Sequence, residues 1–202
     1  MSPLFISLEG IDGSGKSTQA RLLVEALGEG TVAIREPGGT EAAERIRELL
    51  ADPALELDPF AELLLFSAAR ADLVSRVIRP ALEAGRIVVA DRFADSSVAY
   101  QGAARGLGTS HVLSLTDDVI DGLWPDVTVL LRVDPETGLG RADGEDRFEA
   151  EGLDLQRAVA TAYEEIAKIA ADRVVVVDGG GTVEEVHGRV MEAVRARASD
   201  AG

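Results

Sequence analysis

Cysteine is missing altogether from the 202-residue chain. That absence excludes disulfides, thiol nucleophiles and cysteine-ligated zinc or iron–sulfur sites together. Long apolar runs are missing too, none approaching the ~20 residues that span a bilayer. The N-terminus lacks the basic stretch followed by an apolar one that marks a secretory signal. A cytoplasmic protein with no membrane partner is the expectation. Positive charge is scarce: 20 Lys and Arg stand against 36 Asp and Glu, for a formal net charge of −16. Such a surface repels phosphate backbones, so no nucleic-acid partner is expected. A small anionic ligand stays open, because a few arginines and a backbone loop can make a local positive well. Only Lys16 and Lys168 supply lysine, a skew that reads as genome composition.

The length suits one sizeable core and is too short for two comfortable ones. Hydrophobic residues at 46% and charged residues at 28% are ordinary for a globular chain. There is no internal repeat and no linker-like boundary, so residues 1–202 read as a single domain. Short β-branched runs alternate with longer amphipathic stretches, the pattern of an α/β protein whose parallel sheet is covered by helices. Strands are expected at Leu4–Leu8, Thr31–Arg35, Ile87–Asp91, Val127–Val133 and Val174–Asp178. They are continuous apolar runs, as strands buried on both faces should be. Ala20, Leu23, Val24 and Leu27 recur at helical spacing, as do Val183, Val186, Val190 and Val194. A long helix is expected over Pro59–Glu83. Its block Leu63–Phe66 is apolar all round, which fits either a central position or a partner subunit. Glycine-rich joints near Gly38, Gly102–Gly108 and Gly179–Gly181 read as turns, and Arg195–Gly202 as a frayed tail.

Gly10-Ile11-Asp12-Gly13-Ser14-Gly15-Lys16-Ser17 matches G-x-x-x-x-G-K-[ST], with an apolar strand before it and an amphipathic helix after. The glycines let successive N–H groups turn inward around phosphate oxygens, and the following helix adds its positive end. Lys16 supplies a mobile charge for the β- and γ-phosphates of ATP, and the Ser17 hydroxyl can ligate Mg²⁺. This pattern establishes a nucleotide, not a reaction. A guanine-specifying N-K-x-D stretch is absent, since neither lysine follows an asparagine. Mechanical and regulatory ATPases carry two acids at the end of the second key strand, whereas here Asp91 is followed by Arg92. A base at that place suits a second anionic substrate. A surface Asp–Arg ion pair is the weaker reading, given the four apolar residues before it.

Four segments together resemble the thymidylate kinase family over nearly the whole chain. They are Phe5–Gln19 through the phosphate loop; Arg35-Glu36-Pro37-Gly38-Gly39-Thr40; Phe66 and Arg70 through Asp91-Arg92-Phe93 to Ser96–Gly102; and Asp146–Glu149 followed by Tyr163. The resemblance implies a three-layer P-loop NTPase fold, a five-stranded parallel sheet of order 2-3-1-4-5, a short lid at about 137–149, and a homodimer. It implies Mg²⁺, ATP as donor and thymidylate (dTMP) as acceptor, in the supply of dTTP for DNA replication. ATP would be held by Gly10 through Thr18. Phe66 and Arg70 lie four apart on one helix face; Phe66 taken alone reads as a core aromatic, but the family makes the pair a stack and a hydrogen bond on a pyrimidine. Arg92, with Arg35, would clamp the acceptor phosphate, and Asp91 would join Ser17 at Mg²⁺. Ser97 and Gln101 would read the base and Tyr100 would crowd the sugar 2′ position. Asp12, Glu36, Ser96, Asp146 and Glu149 complete the substrate side. The same resemblance implies a cis peptide before Pro37. One departure stands out. Relatives lacking a P-loop arginine carry arginines in the lid, and here only Arg141 and Arg147 are available, among Asp143, Glu145 and Asp146. Either could serve the transferring phosphoryl group, or pair with those acids instead.

Overall fold

The computed structural model describes residues 3–141 and 152–200, the side chains of 198–200 excepted. Asp146, Arg147, Glu149 and most of the expected lid therefore lie outside the described residues. The apolar runs form β1 (Leu4–Glu9), β2 (Val32–Arg35), β3 (Ile87–Asp91), β4 (Val127–Arg132) and β5 (Val174–Asp178). They pair in parallel in the order β2-β3-β1-β4-β5, which is the expected fold class.

Helices cover both faces because successive strand residues alternate between them. Ile6 and Leu8 of β1, Val89 of β3 and Val129 and Leu131 of β4 face α1 (Lys16–Leu27), burying Leu23, and a C-terminal helix (Val183–Asp200) burying Val186 and Val190. Phe5, Val88 and Ala90 point the other way, against Leu73 of α3 (Pro59–Leu73) and Ile78 in the π-helical turn Val74–Ile78 that follows it. That turn leads into α4 (Arg79–Glu83), so the long expected helix is continuous but loosened. Pro80 has no N–H to return to the preceding turn, and the ladder widens just before it. On the same face Ile11 and Leu130 pack against Val159 and Tyr163 of a long helix (Leu153–Ile169).

Three short elements shape the sheet's carboxyl edge. β3 is followed by α5 (Ala94–Ser97), which runs directly into a π-helical segment, Val98–Ala104. The Arg105 N–H closes that segment five residues back, on the Tyr100 carbonyl at 2.8 Å. α6 (Thr109–Ile120) follows, and after β4 comes α7 (Pro135–Leu139), capped by Asp134. We number the remaining two helices α8 (Leu153–Ile169) and α9 (Val183–Asp200); α2 (Glu41–Ala51) precedes α3. The C-terminal tail departs from expectation. α9 continues to Asp200, and Arg197 donates to the Ala171 carbonyl at 2.7 Å.

A buried charge pair fastens the site-bearing α5 to the sheet. Asp95, 2% exposed, accepts from both terminal nitrogens of Arg173 at 2.6 and 2.8 Å. Arg173 also donates to Thr128 Oγ1 at 3.0 Å and lies 4.5 Å over the Trp124 ring. Removing one member of such a pair leaves a buried charge uncompensated. Arg173→Ala is expected to lower unfolding stability by about 3 kcal/mol, read as a lower urea midpoint at unchanged slope. A shift no larger than that of an exposed arginine would show the pair to be dispensable.

Candidate active site

The Gly10–Ser17 loop joins β1 to α1 and floors a cleft of ≈ 930 Å³ along the carboxyl edge of the sheet. Glycine is required at Gly13, whose φ is +68° and where a Cβ would collide with the Gly138 carbonyl of α7. Ser14, Lys16, Ser17 and Thr18 line the cleft with Gly13 and Gly15, whereas Gly10 and Ile11 do not. Ile11 is buried in the core, and the Gly10 carbonyl accepts from Arg92 at 3.1 Å. Lys16 folds back onto its own loop, donating to the Ile11 carbonyl at 2.6 Å and the Ser14 hydroxyl at 3.3 Å. Burial, and then the neighbouring Arg92, pull its ammonium pKa down to about 7.

Arg92 organises the opposite wall. Its φ of +67° is uncommon for a large side chain, and its N–H donates to the Leu8 carbonyl at 3.0 Å. The guanidinium pairs with Asp12, bonds Ser96 Oγ and Tyr100 Oη at 3.2 Å each, and lies 5.1 Å from the Tyr100 ring centroid. Burial raises the Asp12 carboxyl, but Arg92 and then Lys16 outweigh it and hold the group below the usual range. Beneath them Glu9, fully buried, accepts from the Phe93 N–H, Ser96 Oγ and Tyr163 Oη at 2.7, 2.7 and 2.8 Å. Burial, then Asp95, push its pKa up to about 7. Asp91 stands at the end of β3, half-buried, and lines the same cleft as the exposed Ser17.

The far arm of the cleft is built by α3 and the α5/π-helical segment. Phe66 and Arg70 line it from one side, Ser97, Tyr100 and Gln101 from the other. Arg70 is 1% exposed. It donates through Nε to Glu36 at 2.8 Å, through Nη1 to Ser97 Oγ at 3.0 Å and through Nη2 to the Phe93 carbonyl at 3.3 Å, with a further Nη2 contact to Glu36 at 2.6 Å. Glu36 turns the other oxygen, Oε1, to no protein donor among the described residues, although it is buried at the cleft wall. Burial raises its pKa, opposed by Arg70. The Glu36–Pro37 peptide is cis. Arg35 borders the cleft but is half-engaged with Glu44 at 2.9 Å, on the surface. Arg141 lines it just beyond α7, and Arg147 lies outside the described residues.

Several lining or supporting residues carried no signal in the expected motifs. Gln156 of α8 grips Asp12 twice, accepting from its N–H at 3.2 Å and donating to Oδ2 at 2.7 Å. It precedes Tyr163 by two helical turns, so the shared face could have pointed to it. Arg47 of α2 reaches the cleft and donates to the Pro37 carbonyl at 3.1 Å. The β5–α9 turn, through Gly179, Thr182 and Val183, closes the end beyond the phosphate loop. There Gln19 of α1 donates to the Val183 carbonyl at 3.0 Å.

A phosphate loop at one end of a cleft and an aromatic, arginine-rich second arm at the other define a P-loop phosphotransferase. The comparisons with known proteins narrow the class. A family model for thymidylate kinase matches residues 8–190. A thymidylate kinase of Deinococcus radiodurans is 44% identical over 200 residues, covering 96% of this chain and 97% of the relative. One from Halothermothrix orenii is 45% identical over 204 residues, covering 96% and 98%. The crystal structure of thymidylate kinase from Ehrlichia chaffeensis superposes with a TM-score of 0.82 at 35% identity, covering 96% of this chain and 100% of that one. The chain belongs to the thymidylate kinase family and is a kinase.

The depressed Lys16 pKa makes a binding prediction with a definite sign. Near pH 8 the free protein holds this lysine mostly neutral, while the phosphates of ATP favour the ammonium. ATP binding should therefore take up a proton, measured by titration calorimetry in two buffers of different ionisation enthalpy. Lys16→Arg, which stays charged, should take up none. Equal uptake in both proteins would contradict a neutral Lys16.

Proposed function

We propose that this chain transfers the γ-phosphate of ATP to dTMP, giving dTDP and ADP, and that this cleft holds both nucleotides end to end. The observation that carries this reading is the second arm. A nucleotide-hydrolysing switch has no use for Phe66 and Arg70 placed opposite Ser97 and Gln101, beyond the phosphate loop. ATP would lie with its phosphates in the Gly13–Thr18 loop and its base toward Gly179, Thr182 and Val183. The pyrimidine would stack on Phe66, with Tyr100 against the deoxyribose and Arg92 at the acceptor phosphate.

Ser17 and Asp91 would hold Mg²⁺. Both border the same cleft, and no group of three or more acids or histidines able to cage a metal occurs among the described residues. One hydroxyl and one carboxylate suit an ion that keeps its waters and shares the donor phosphates. When bound, it would neutralise charge on those phosphates. An acceptor phosphate oxygen attacks the γ-phosphorus in line, and the bond to the departing ADP oxygen breaks. The attacking phosphate oxygen is already anionic, so no general base is needed. The chain's contribution is alignment and positive charge from Lys16, Arg92 and one lid arginine, Arg141 or Arg147.

The remaining readings follow from the surface. Phe60 and Leu64 on α3 are 42% and 46% exposed, and Leu113 on α6 is 41% exposed. Those apolar side chains support a homodimer through this flank. No described helix is long and apolar enough to cross a membrane, and the acidic chain is assigned to the cytoplasm, with no nucleic-acid partner. The acceptor assignment has a direct test. Phe66→Ala should raise KM for dTMP by about tenfold or more, a stacking loss on the order of 1–2 kcal/mol, and leave KM for ATP near the wild-type value. An equal rise for both nucleotides would move the pyrimidine elsewhere.

A further inference from the structure

Glu62 is a buried carboxylate that the phosphoryl-transfer chemistry does not use. It lies one helical turn before Phe66 and two before Arg70, so the three share a stripe of α3. It is 1% exposed and stands behind the cleft wall. Its Oε1 accepts from Gln101 Nε2 at 2.9 Å. Both its oxygens accept from Arg105, Oε1 from Nε and Oε2 from Nη2, each at 3.2 Å. A carboxylate in a two-pronged pair with a guanidinium offers acceptors only. The end of the Gln101 amide that meets Glu62 is therefore its NH2, and the carbonyl is the end left for the cleft, which Gln101 lines.

We propose that Glu62, held by Arg105, is a positioning residue that locks the Gln101 amide with its carbonyl toward the cleft and thereby selects a 4-oxopyrimidine over a 4-aminopyrimidine. This rests on the acceptor site proposed above. Thymine offers an N3–H donor beside the O4 acceptor, whereas cytosine offers an N3 acceptor beside an N4 amine. Arg70 has five N–H donors. Its hydrogen bonds to Glu36, Ser97 and Phe93 engage the Nε donor, one on Nη1 and one on Nη2, so among the described residues Nη1 keeps a donor. A Gln101 acceptor and an Arg70 donor match the thymine edge and oppose the cytosine edge. Were the amide turned over, its NH2 would meet the cytosine N3 favourably, and thymine would lose its partner. Gln101 alone carries either pattern; the carboxylate behind it decides which.

The test measures kcat/KM for dTMP and for dCMP, with KM for ATP, in wild type, Glu62→Gln and the double variant Glu62→Gln/Arg105→Gln. The replacing amide is isosteric and can donate as well as accept, so it frees Gln101 to adopt both orientations. The expected result is a fall of about tenfold or more in the dTMP-to-dCMP ratio, with KM for ATP unchanged. An unchanged ratio in folded Glu62→Gln overturns the proposal, even if both activities drop together, because that pattern marks a purely structural role. Should the single variant fail to fold, the double variant removes both charges of the pair and its ratio decides in the same way. Wild-type protein that phosphorylates no dTMP overturns instead the acceptor reading beneath it.

Discussion

The guanidinium of Arg92 ties the end of β3 to the phosphate loop, and both nucleotide arms of the cleft depend on that tie. It reaches the Gly10 carbonyl and the Asp12 carboxylate on the loop, and Ser96 and Tyr100 on the α5/π-helical segment. The backbone at Arg92 takes a left-handed conformation to aim it there. Such strain persists only where surrounding contacts over-determine it, and here they do. The Leu8 carbonyl, Glu9 and Gln156 brace the same junction from β1 and α8. Three separate stretches of chain, residues 8–12, residues 92–100 and Gln156, therefore meet around one positive charge. On the proposed reading, an anionic acceptor would find that charge already positioned.

A second constraint is the near-complete pairing of buried polar groups around the cleft. Glu9, Glu62, Arg70 and Asp95 are each at most 2% exposed and each is hydrogen-bonded. Left unpaired, any of them would cost several kcal/mol. Paired, they fix the rotamers of Ser96, Ser97 and Gln101, which is the preorganisation a transfer between two anions needs. The exception is informative. Glu36 keeps one buried oxygen without a donor among the described residues at the cleft wall, a position where a substrate hydroxyl or amide would be accepted.

Most of the fold was legible in the sequence because parallel strands buried on both faces leave continuous runs such as Ile87–Ala90, bounded by turns. The phosphate loop was legible for a different reason: its glycines and lysine answer local geometry, which short-range spacing records. What escaped were contacts set by tertiary neighbours. Gln156, Arg47 and Glu62 belong to helical faces whose partners across the gap no periodicity names. The occupancy of Arg70 by Glu36 was hidden likewise, since the two lie far apart in the chain and meet only where α3 crosses the end of β2. The π-helical widening before Pro80 and through Tyr100 was equally invisible, because a one-residue change in the ladder leaves composition and apolar pattern intact. Family resemblance carries the order of the motifs, and the fold sets the hydrogen-bond partners that resemblance does not carry.

The central claim is that the second arm of the cleft receives a nucleoside monophosphate rather than water. ADP release from ATP and Mg²⁺, followed by a coupled assay with no acceptor, with dTMP and with thymidine, tests it most directly. The account predicts negligible release alone or with thymidine, which brings no phosphate to Arg92, and saturable release with dTMP. Release of ADP at the same rate without any acceptor would contradict it.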